Sequence, residues 1–297
     1  MAITSLLIAN RGEIAIRIAR AAQDLGIRAV AIHTRDDGAS LHVRRADDAI
    51  ALPGVGAAGY LDISAVIAAA KDAGCDAVHP GYGFLAERAD FAEACAAAGL
   101  TFVGPTPAHL ALFGDKAQAR AAATAAGVPV TRGIDRAVTL DEAEAFFAET
   151  GGPVMLKAIA GGGGRGSRGV MTAADLPDAF ARCQSEAQAA FGQGDLYVEA
   201  FMPRARHIEV QILGDGMGGA AHFGTRECSI QRRYQKLIEI APAPHLDDAL
   251  RDQIIDAALK LAKGANYLNL GTFEFLVDAS GAGDQPFVFI EANARLQ

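Results

Sequence analysis

The sequence predicts an α/β protein in two parts: an N-terminal doubly wound parallel sheet, then a second unit that carries a small α/β lid. Three observations predict it. Over residues 1–112, apolar runs of strand length alternate with helix-period segments across short joins. Beyond residue 196 the pattern changes to alternating strands closed by hairpin turns. Between them, Leu156–Val170 holds four consecutive glycines flanked by cations, a backbone that can approach an anion with no Cβ in the way. The 297 residues suffice for two domains, and 51% hydrophobic with 21% charged residues describes a globular chain. A net charge of −8 without a basic block argues against nucleic acid as a main partner. There is no run of membrane-spanning length and no basic start typical of a signal peptide. Cys75, Cys95, Cys183 and Cys228 show no metal or C-x-x-C spacing, so reduced thiols in a cytoplasmic protein are expected.

Ile3–Ala9 reads as an apolar strand. A helix follows from Asn10, its expected cap, with Ile14, Ile18, Ala21 and Ala22 on the buried face. Ile27–Thr34 is a strand, Tyr60–Ala73 a helix, and Asp76–His79 a strand that runs into Pro80-Gly-Tyr-Gly-Phe84. Phe84–Ala98 is read as helix and Leu100–Gly104 as strand. Ligands gather at strand carboxyl ends in open α/β sheets, so His79 is a candidate, but a turn-stabilising histidine is the better reading.

The helix Ala117–Ala126 ends at Gly127, ahead of Pro129. Lys116 heads it, where the helix dipole favours anions, a placement that makes sense if the lysine faces a phosphate. A strand (Val128–Val130), a helix (Leu140–Glu149), the glycine-bearing unit and a helix (Ala173–Ala190) make up the small lid. Pro153–Leu156 is a short buried strand ending in Lys157. Only six of the 27 basic residues are lysines, and one set into an apolar strand is costly to bury unless an anion meets it. Gly161, Gly163 and Gly166 satisfy G-x-G-x-x-G, but a strand, not the helix of a dinucleotide fold, follows them. No G-K-[ST] triplet is present for a Walker A loop. The loop is therefore read as a flexible cover over nucleotide phosphates, with Lys157 as the fixed charge beneath.

Leu196–Met202 is a strand broken at Pro203, whose Glu199 and free backbone groups can meet a purine amino group. Arg206–Leu213 sets His207, Glu209 and Gln211 on one face and Ile208, Val210 and Ile212 on the other. Arg226–Lys236 gathers cations around Gln231. A solvated charge run is the ordinary explanation, but apolar Leu237, Ile238 and Ile240 imply partial cover and favour an anion site. His245–Gly264 is a helix. In the last hairpin Glu291, Asn293 and Arg295 share a strand face, with Glu274 on the paired strand. Two carboxylates and an amide oxygen are hard ligands suited to Mg²⁺ at phosphates; a polar face salt-bridged to Arg295 is the alternative.

Together these residues resemble the biotin carboxylase family of ATP-grasp enzymes. The matching segments are I-A-N-R-G-E-I-A (8–15), H-P-G-Y-G-F-L-A-E (79–87), G-D-K (114–116), G-G-G-G-R-G (161–166), R-H-I-E-V-Q (206–211), E-C-S-I-Q-R-R-Y-Q-K (227–236), G-T-F-E-F (271–275) and E-A-N-A-R-L-Q (291–297). The resemblance implies a Rossmann-like, pre-ATP-grasp domain over 1–112. An ATP-grasp domain would follow over 113–297, with its lid at about 131–203 and its C-terminal end incomplete. It implies that Lys116, Lys157, Gly163 and Gly164 hold ATP phosphates. Glu199, Met202 (through its backbone), His207 and Gln231 would hold the nucleoside, with Tyr234 near the ribose. Glu274, Glu291 and Asn293 would bind Mg²⁺ or Mn²⁺. Lys236, Arg295 and Gln297 would face bicarbonate, and Lys236 and Arg295 would be catalytic, Arg295 also stabilising the biotin enolate.

The implied reaction is carboxylation of carrier-bound biotin by ATP and bicarbonate through carboxyphosphate, as in acetyl-CoA or propionyl-CoA carboxylase, with the acceptor (acetyl-CoA, propionyl-CoA, a longer acyl-CoA, pyruvate or urea) chosen in another domain. The implied partners are a biotin carboxyl carrier, a carboxyltransferase and a second copy of the chain in a homodimer or larger complex. Tyr234, Ala292 and Ala294 depart from the residues usual in the family. The family's strand continues past the position of Gln297 into V-E-H and a third subdomain, so a piece of a longer enzyme with little turnover of its own is expected. A carbamoyl-phosphate-type ligase and a non-catalytic ATP-binding module are the competing readings.

Overall fold

A computed structural model describes residues 2–134, 136–160, 166–232, 235–281 and 285–297. The expected phosphate contacts Gly163 and Gly164, and Tyr234, lie outside the described residues.

The first sheet is parallel. β1 (Ser5–Ile8), β2 (Arg28–His33), β3 (Asp48–Ala51), β4 (Ala77–His79) and β5 (Thr101–Phe102) lie in the order β3-β2-β1-β4-β5. Around it run α1 (Gly12–Asp24), α2 (Leu41–Arg45), α3 (Gly56–Gly59), α4 (Ile63–Asp72) and α5 (Ala89–Ala97). Leu7, Val30, Ile32 and Val78 pack with Val66, Phe91 and Cys95 on one side. Leu6 and Ile8 meet Ile14 and Ile18 of α1 on the other.

Three expectations change here. Asn10 does not cap α1: Arg11 is the N-cap residue, and Asn10 Nδ2 donates to the carbonyls of Pro80 (2.7 Å) and Tyr82 (2.8 Å), tying the first turn to the one after β4. Ala21 faces solvent, and Ala15 and Ala19 complete the buried face instead. The helix expected from Phe84 starts only at Ala89: Phe84 has a positive φ, and the N-cap residue Arg88 is extended. The turn contact of His79 is as read, with Gly81 N donating to its Nδ1 at 3.0 Å.

α6 (Pro107–Gly114) leads to α7 (Lys116–Ala125), capped by Asp115, whose Oδ1 accepts from Ala117 N and Gln118 N. Residues 128–130 form no strand; Val130 makes a lone bridge to Phe289. A small antiparallel sheet follows, made of β6 (Gly133–Ile134), β7 (Val154–Ala158), β8 (Ser167–Val170) and β9 (Leu196–Ala200) in the order β6-β9-β7-β8. It is backed by α8 (Leu140–Thr150) and α9 (Leu176–Phe191), with Leu156, Val198, Phe146 and Phe180 in its core.

The third sheet is antiparallel: β10 (Ala205–Asp215), β11 (Ala220–Arg232), β12 (Gln235–Ile240), β13 (Leu268–Asp278) and β14 (Phe287–Asn293), ordered β12-β11-β10-β13-β14. As its alternation requires, β10 buries Ile208, Val210 and Ile212 against Ile254, Ala258 and Leu261 of α10 (Asp248–Gly264). Phe273, Phe275, Phe287 and Phe289 fill the same side with edge-to-face contacts, Phe275 to Phe289 at 5.9 Å. Leu237, Ile238 and Ile240 are not covered as expected, because β12 is an edge strand. No helix among the described residues is long and apolar enough to cross a membrane.

Candidate active site between two antiparallel sheets

A cavity of about 830 Å³ opens between the small sheet and the polar face of the third sheet. Lys116, Lys157, Glu199, Met202, His207, Gln231, Lys236, Glu274 and Glu291 all line it. The helix-head lysine, the strand lysine and the hairpin carboxylates thus meet around one space, which is within the size range of small-molecule sites.

The floor is set by register. Arg226 stands opposite Glu209, Glu209 opposite Glu274, and Glu274 opposite Glu291, across four adjacent strands. Directly opposed like charges are unfavourable, and the structure answers with interleaved cations. Lys236 Nζ bonds Glu274 Oε1 at 2.8 Å and also Glu209, while Arg226 Nη2 lies 2.9 Å from Glu209 Oε2. Gln231 Nε2 donates to His207 Nδ1 at 2.9 Å, which leaves the Nε2 proton for Glu274 Oε2 at 2.6 Å. Burial alone pushes the Glu274 carboxyl up, but His207 and Lys236 outweigh it and hold the group well below the usual carboxylate range. Burial likewise opposes the Lys236 charge, and Glu274 and Glu209 raise its pKa in spite of it. The cationic patch expected around Gln231 is therefore not a bare anion site: Arg226 and Lys236 are already paired with carboxylates.

Glu291 differs from Glu274. Burial first, and the charge of Glu274 second, raise its pKa, while Lys116 and Lys236 partly oppose them. Two opposed carboxylates of this kind are a donor set that fits a divalent cation. Asn293 adjoins them, but its Oδ1 accepts from Arg295 Nη2 at 2.8 Å and its Nδ2 donates to Glu274. His207, Glu209 and Glu274 also bring one ligand atom each within 4.8 Å of one another, a set that shares only Glu274 with the expected one.

The other wall belongs to Lys157 and Glu199. They form an ion pair, and Glu199, 6% exposed, also lies 3.8 Å from Arg120. Arg120, four residues after Lys116 on α7, was not singled out from the sequence, although the i, i+4 spacing puts both on one helix face. Burial lowers the pKa of Lys116, with Glu291 opposing that shift and Lys157 adding to it.

Arg295 and Gln297 do not line this cavity. Arg295 lies beside a crevice of about 20 Å³ with His79 and Gly81, pairs with Glu87 at 3.2 Å and bonds the Gln297 side chain. Gln297 Nε2 in turn donates to Glu209 at 3.3 Å, so the pair reaches Lys236 through a shared carboxylate. Ala292 and Ala294 face the core, away from the carboxylates.

Two antiparallel sheets clasping one cleft, with a lysine from each and a carboxylate pair on the floor, define an ATP-grasp protein. A family model described as "Carbamoyl-phosphate synthase L chain, ATP binding domain" matches residues 115–297, and one described as "Biotin carboxylase, N-terminal domain" matches residues 2–110. The chain is 52% identical over 299 residues to the mitochondrial pyruvate carboxylase of Mus musculus, covering 99% of this chain and 25% of that protein. It is 48% identical over 299 residues to the biotin carboxylase of a Nostoc species, covering 100% of this chain and 66% of that protein. The crystal structure of a Campylobacter jejuni biotin carboxylase–β,γ-ATP complex superposes with a TM-score of 0.94 at 45% identity, over 100% of this chain and 66% of that one. The chain belongs to the biotin carboxylase family. It spans a quarter of the length of the pyruvate carboxylase and about two thirds of the biotin carboxylases.

Proposed function

We propose that this chain uses ATP and bicarbonate to carboxylate biotin on a carrier, the first half-reaction of a biotin-dependent carboxylase. The observation that carries the reading is the convergence of Lys116, Lys157, Lys236, Glu274 and Glu291 on one cavity. Phosphoryl transfer needs mainly positioning and charge stabilisation. Lys116 and Lys157 bring fixed positive charge to the phosphates, and Glu199 accepts from the amino group of the base. Lys236, kept protonated by two carboxylates, acts as a cation for bicarbonate and not as a base. A bicarbonate oxygen attacks the γ-phosphorus and ADP leaves; the carboxyphosphate formed splits into CO₂ and phosphate, which takes the ureido proton of biotin so that the enolate attacks CO₂. Arg295, joined to Asn293 and Gln297, holds the bicarbonate and the enolate. A divalent cation held by Glu274 and Glu291, with Asn293 beside them, would supply Lewis-acid charge at the β- and γ-phosphate oxygens.

The proposed partners are a biotin carrier, a carboxyltransferase and a second copy of the chain. The final acceptor is chosen by the carboxyltransferase; among acetyl-CoA, propionyl-CoA, a longer acyl-CoA, pyruvate and urea, the name of the mouse relative favours pyruvate. Buried, unpaired cysteines fit a reducing compartment such as the cytoplasm. The test has two arms. Calorimetric titration of these 297 residues is expected to show Mg²⁺-dependent ATP binding that Glu291→Gln abolishes. A chimera carrying the C-terminal third of the Nostoc relative is expected to release ADP in response to bicarbonate and free biotin. No nucleotide binding would overturn the site, and turnover without biotin stimulation would favour a carbamoyl-phosphate-type ligase, the reading that the name of the 115–297 family model suggests.

A further inference from the structure

Gln231 reaches the cavity only because β11 breaks its own period. Arg226 pairs with Glu209 on the cavity side, so alternation by two would turn Cys228 and Ile230 to the cavity and Gln231 away from it. Instead Ser229 and Gln231 line the cavity and Ile230 does not. The register shows the cause: Glu227 pairs with Ile240 and Ile230 with Ile238, so β11 carries one residue more than β12 between them. Gln231 then stands opposite Lys236. Its Nε2 donates to the Cys228 carbonyl inside the bulge at 2.7 Å, as well as to His207. Glu227, 7% exposed, holds this bulge from the other side. Its Oε1 accepts from Ser229 N at 3.3 Å and from the Ser229 hydroxyl, which itself accepts from His207 N at 2.8 Å. Its Oε2 accepts from Arg206 Nε at 3.0 Å and Nη2 at 2.5 Å. Arg206 is fixed in turn by the carbonyls of Pro244 (2.6 Å) and His245 (2.9 Å), ahead of α10. An apolar pair in place of Arg206 and Glu227 could pack as well, but it would offer no acceptor to the amide and hydroxyl of Ser229.

We infer that Glu227, held by Arg206, is a positioning residue for nucleotide binding: it fixes the β11 bulge and so sets Gln231 and His207 on the cavity side. This rests on the ATP reading proposed above, with His207 and Gln231 as contacts to the nucleoside. Neither Arg206 nor Glu227 lines the cavity, so both act through the strand and not through the ligand.

The test compares wild type, Glu227→Leu, Glu227→Asp, Gln231→Met and the double variant Glu227→Leu with Gln231→Met in these 297 residues. Mg²⁺-ATP affinity is read by calorimetry, and solvent exchange of the Gln231 side-chain amide by NMR without nucleotide. Glu227→Leu is expected to weaken ATP binding about 5- to 10-fold, as Gln231→Met does, and to speed exchange of the Gln231 amide, whose donors lose their fixed acceptors. The double variant is expected to bind within about 2-fold of either single one, because both changes remove the same contact. Aspartate can still bond the amide two residues on, so Glu227→Asp should stay within about 3-fold of wild type. Should Glu227→Leu not fold, Ser229→Ala, which removes the hydroxyl shared by Glu227 and His207, is read in its place by the same criteria. A lower melting midpoint with wild-type ATP affinity and slow Gln231 exchange shows a packing role and overturns the inference, leaving the ATP site standing. Additive losses in the double variant also overturn it. Absence of ATP binding by wild type instead removes the proposed function, and the Gln231 exchange then still decides whether Glu227 sets that side chain.

Discussion

Replacing Lys236 by methionine keeps an aliphatic stem of similar length but removes the ammonium that Glu209 and Glu274 share. Both carboxylates are almost fully buried, at 0% and 1% exposure. One oxygen of each lies within 4.8 Å of the other, where two negative charges repel by about 3.5 kcal/mol at an effective dielectric constant of ~20. Arg226 stays beside Glu209 and His207 beside Glu274, so a net loss of about 3 kcal/mol is expected, at the low end for breaking a buried pair. An unfolding entropy of about 2 cal/mol/K per residue gives ~0.6 kcal/mol/K over 297 residues. The melting midpoint should therefore fall by about 5 °C at neutral pH, followed by circular dichroism. The double variant Lys236→Met with Glu209→Gln removes one of the two opposed charges and should recover most of the loss, a coupling of about 2 kcal/mol. A midpoint within about 1 °C of wild type, or strictly additive single variants, would show that Lys236 does not hold the carboxylate row together.

Lys116→Met and Lys157→Met should each weaken Mg²⁺-ATP binding by about 10-fold or more in calorimetry, the loss of a charge-assisted contact. Without nucleotide, Lys157→Met should also lower the melting midpoint, because buried Glu199 loses a cation. In the chimera, Lys236→Ala should reduce turnover by about 100-fold or more while changing ATP affinity by less than about 3-fold; equal losses would remove Lys236 from the bicarbonate role. His79, whose pKa burial and then Arg17 lower to about 4, stays neutral in the fold while the unfolded chain takes a proton near ~6.5. Stability should thus fall by about 3 kcal/mol as pH drops from ~6.5 to ~4, and His79→Asn should flatten that slope in denaturant titrations.

Where one element buries one face, the sequence was enough. Ile208, Val210 and Ile212 alternate with His207, Glu209 and Gln211, and that period alone separates core from cavity in β10. β3 escaped because Asp48-Ala-Ile-Ala51 is a short, largely exposed edge strand with little apolar periodicity to reveal it. Asn10 misled because the same short amide that caps helices can also bridge two turns, and the choice depends on where residues 80–82 lie. The cluster around Gln231 was legible only in part, for a related reason. A one-dimensional count of cations cannot show that Glu209 and Glu274 arrive from other strands to pair with Arg226 and Lys236.

The carboxylate pair is the harder case, because the expectation held only over part of its strand. Side chains alternate with a period of two, so Phe287 and Phe289 in the core would place Glu291 in the core as well. The register shows why it is not there. Phe275 pairs with Phe289 but Glu274 pairs with Glu291, which leaves Ile290 as an extra residue on β14. Such a bulge inverts the alternation: Val288 and Ile290 line the cavity before it, and Glu291 lines the cavity after it, while Ala292 and Ala294 turn to the core. The aromatic packing beneath the sheet and the carboxylate above it are therefore compatible only through one inserted residue. Nothing in the identity of Ile290 marks it as that residue. The partner strand supplies the information, because Glu274 and Phe275 are adjacent in β13 with no bulge of their own, and both must be matched.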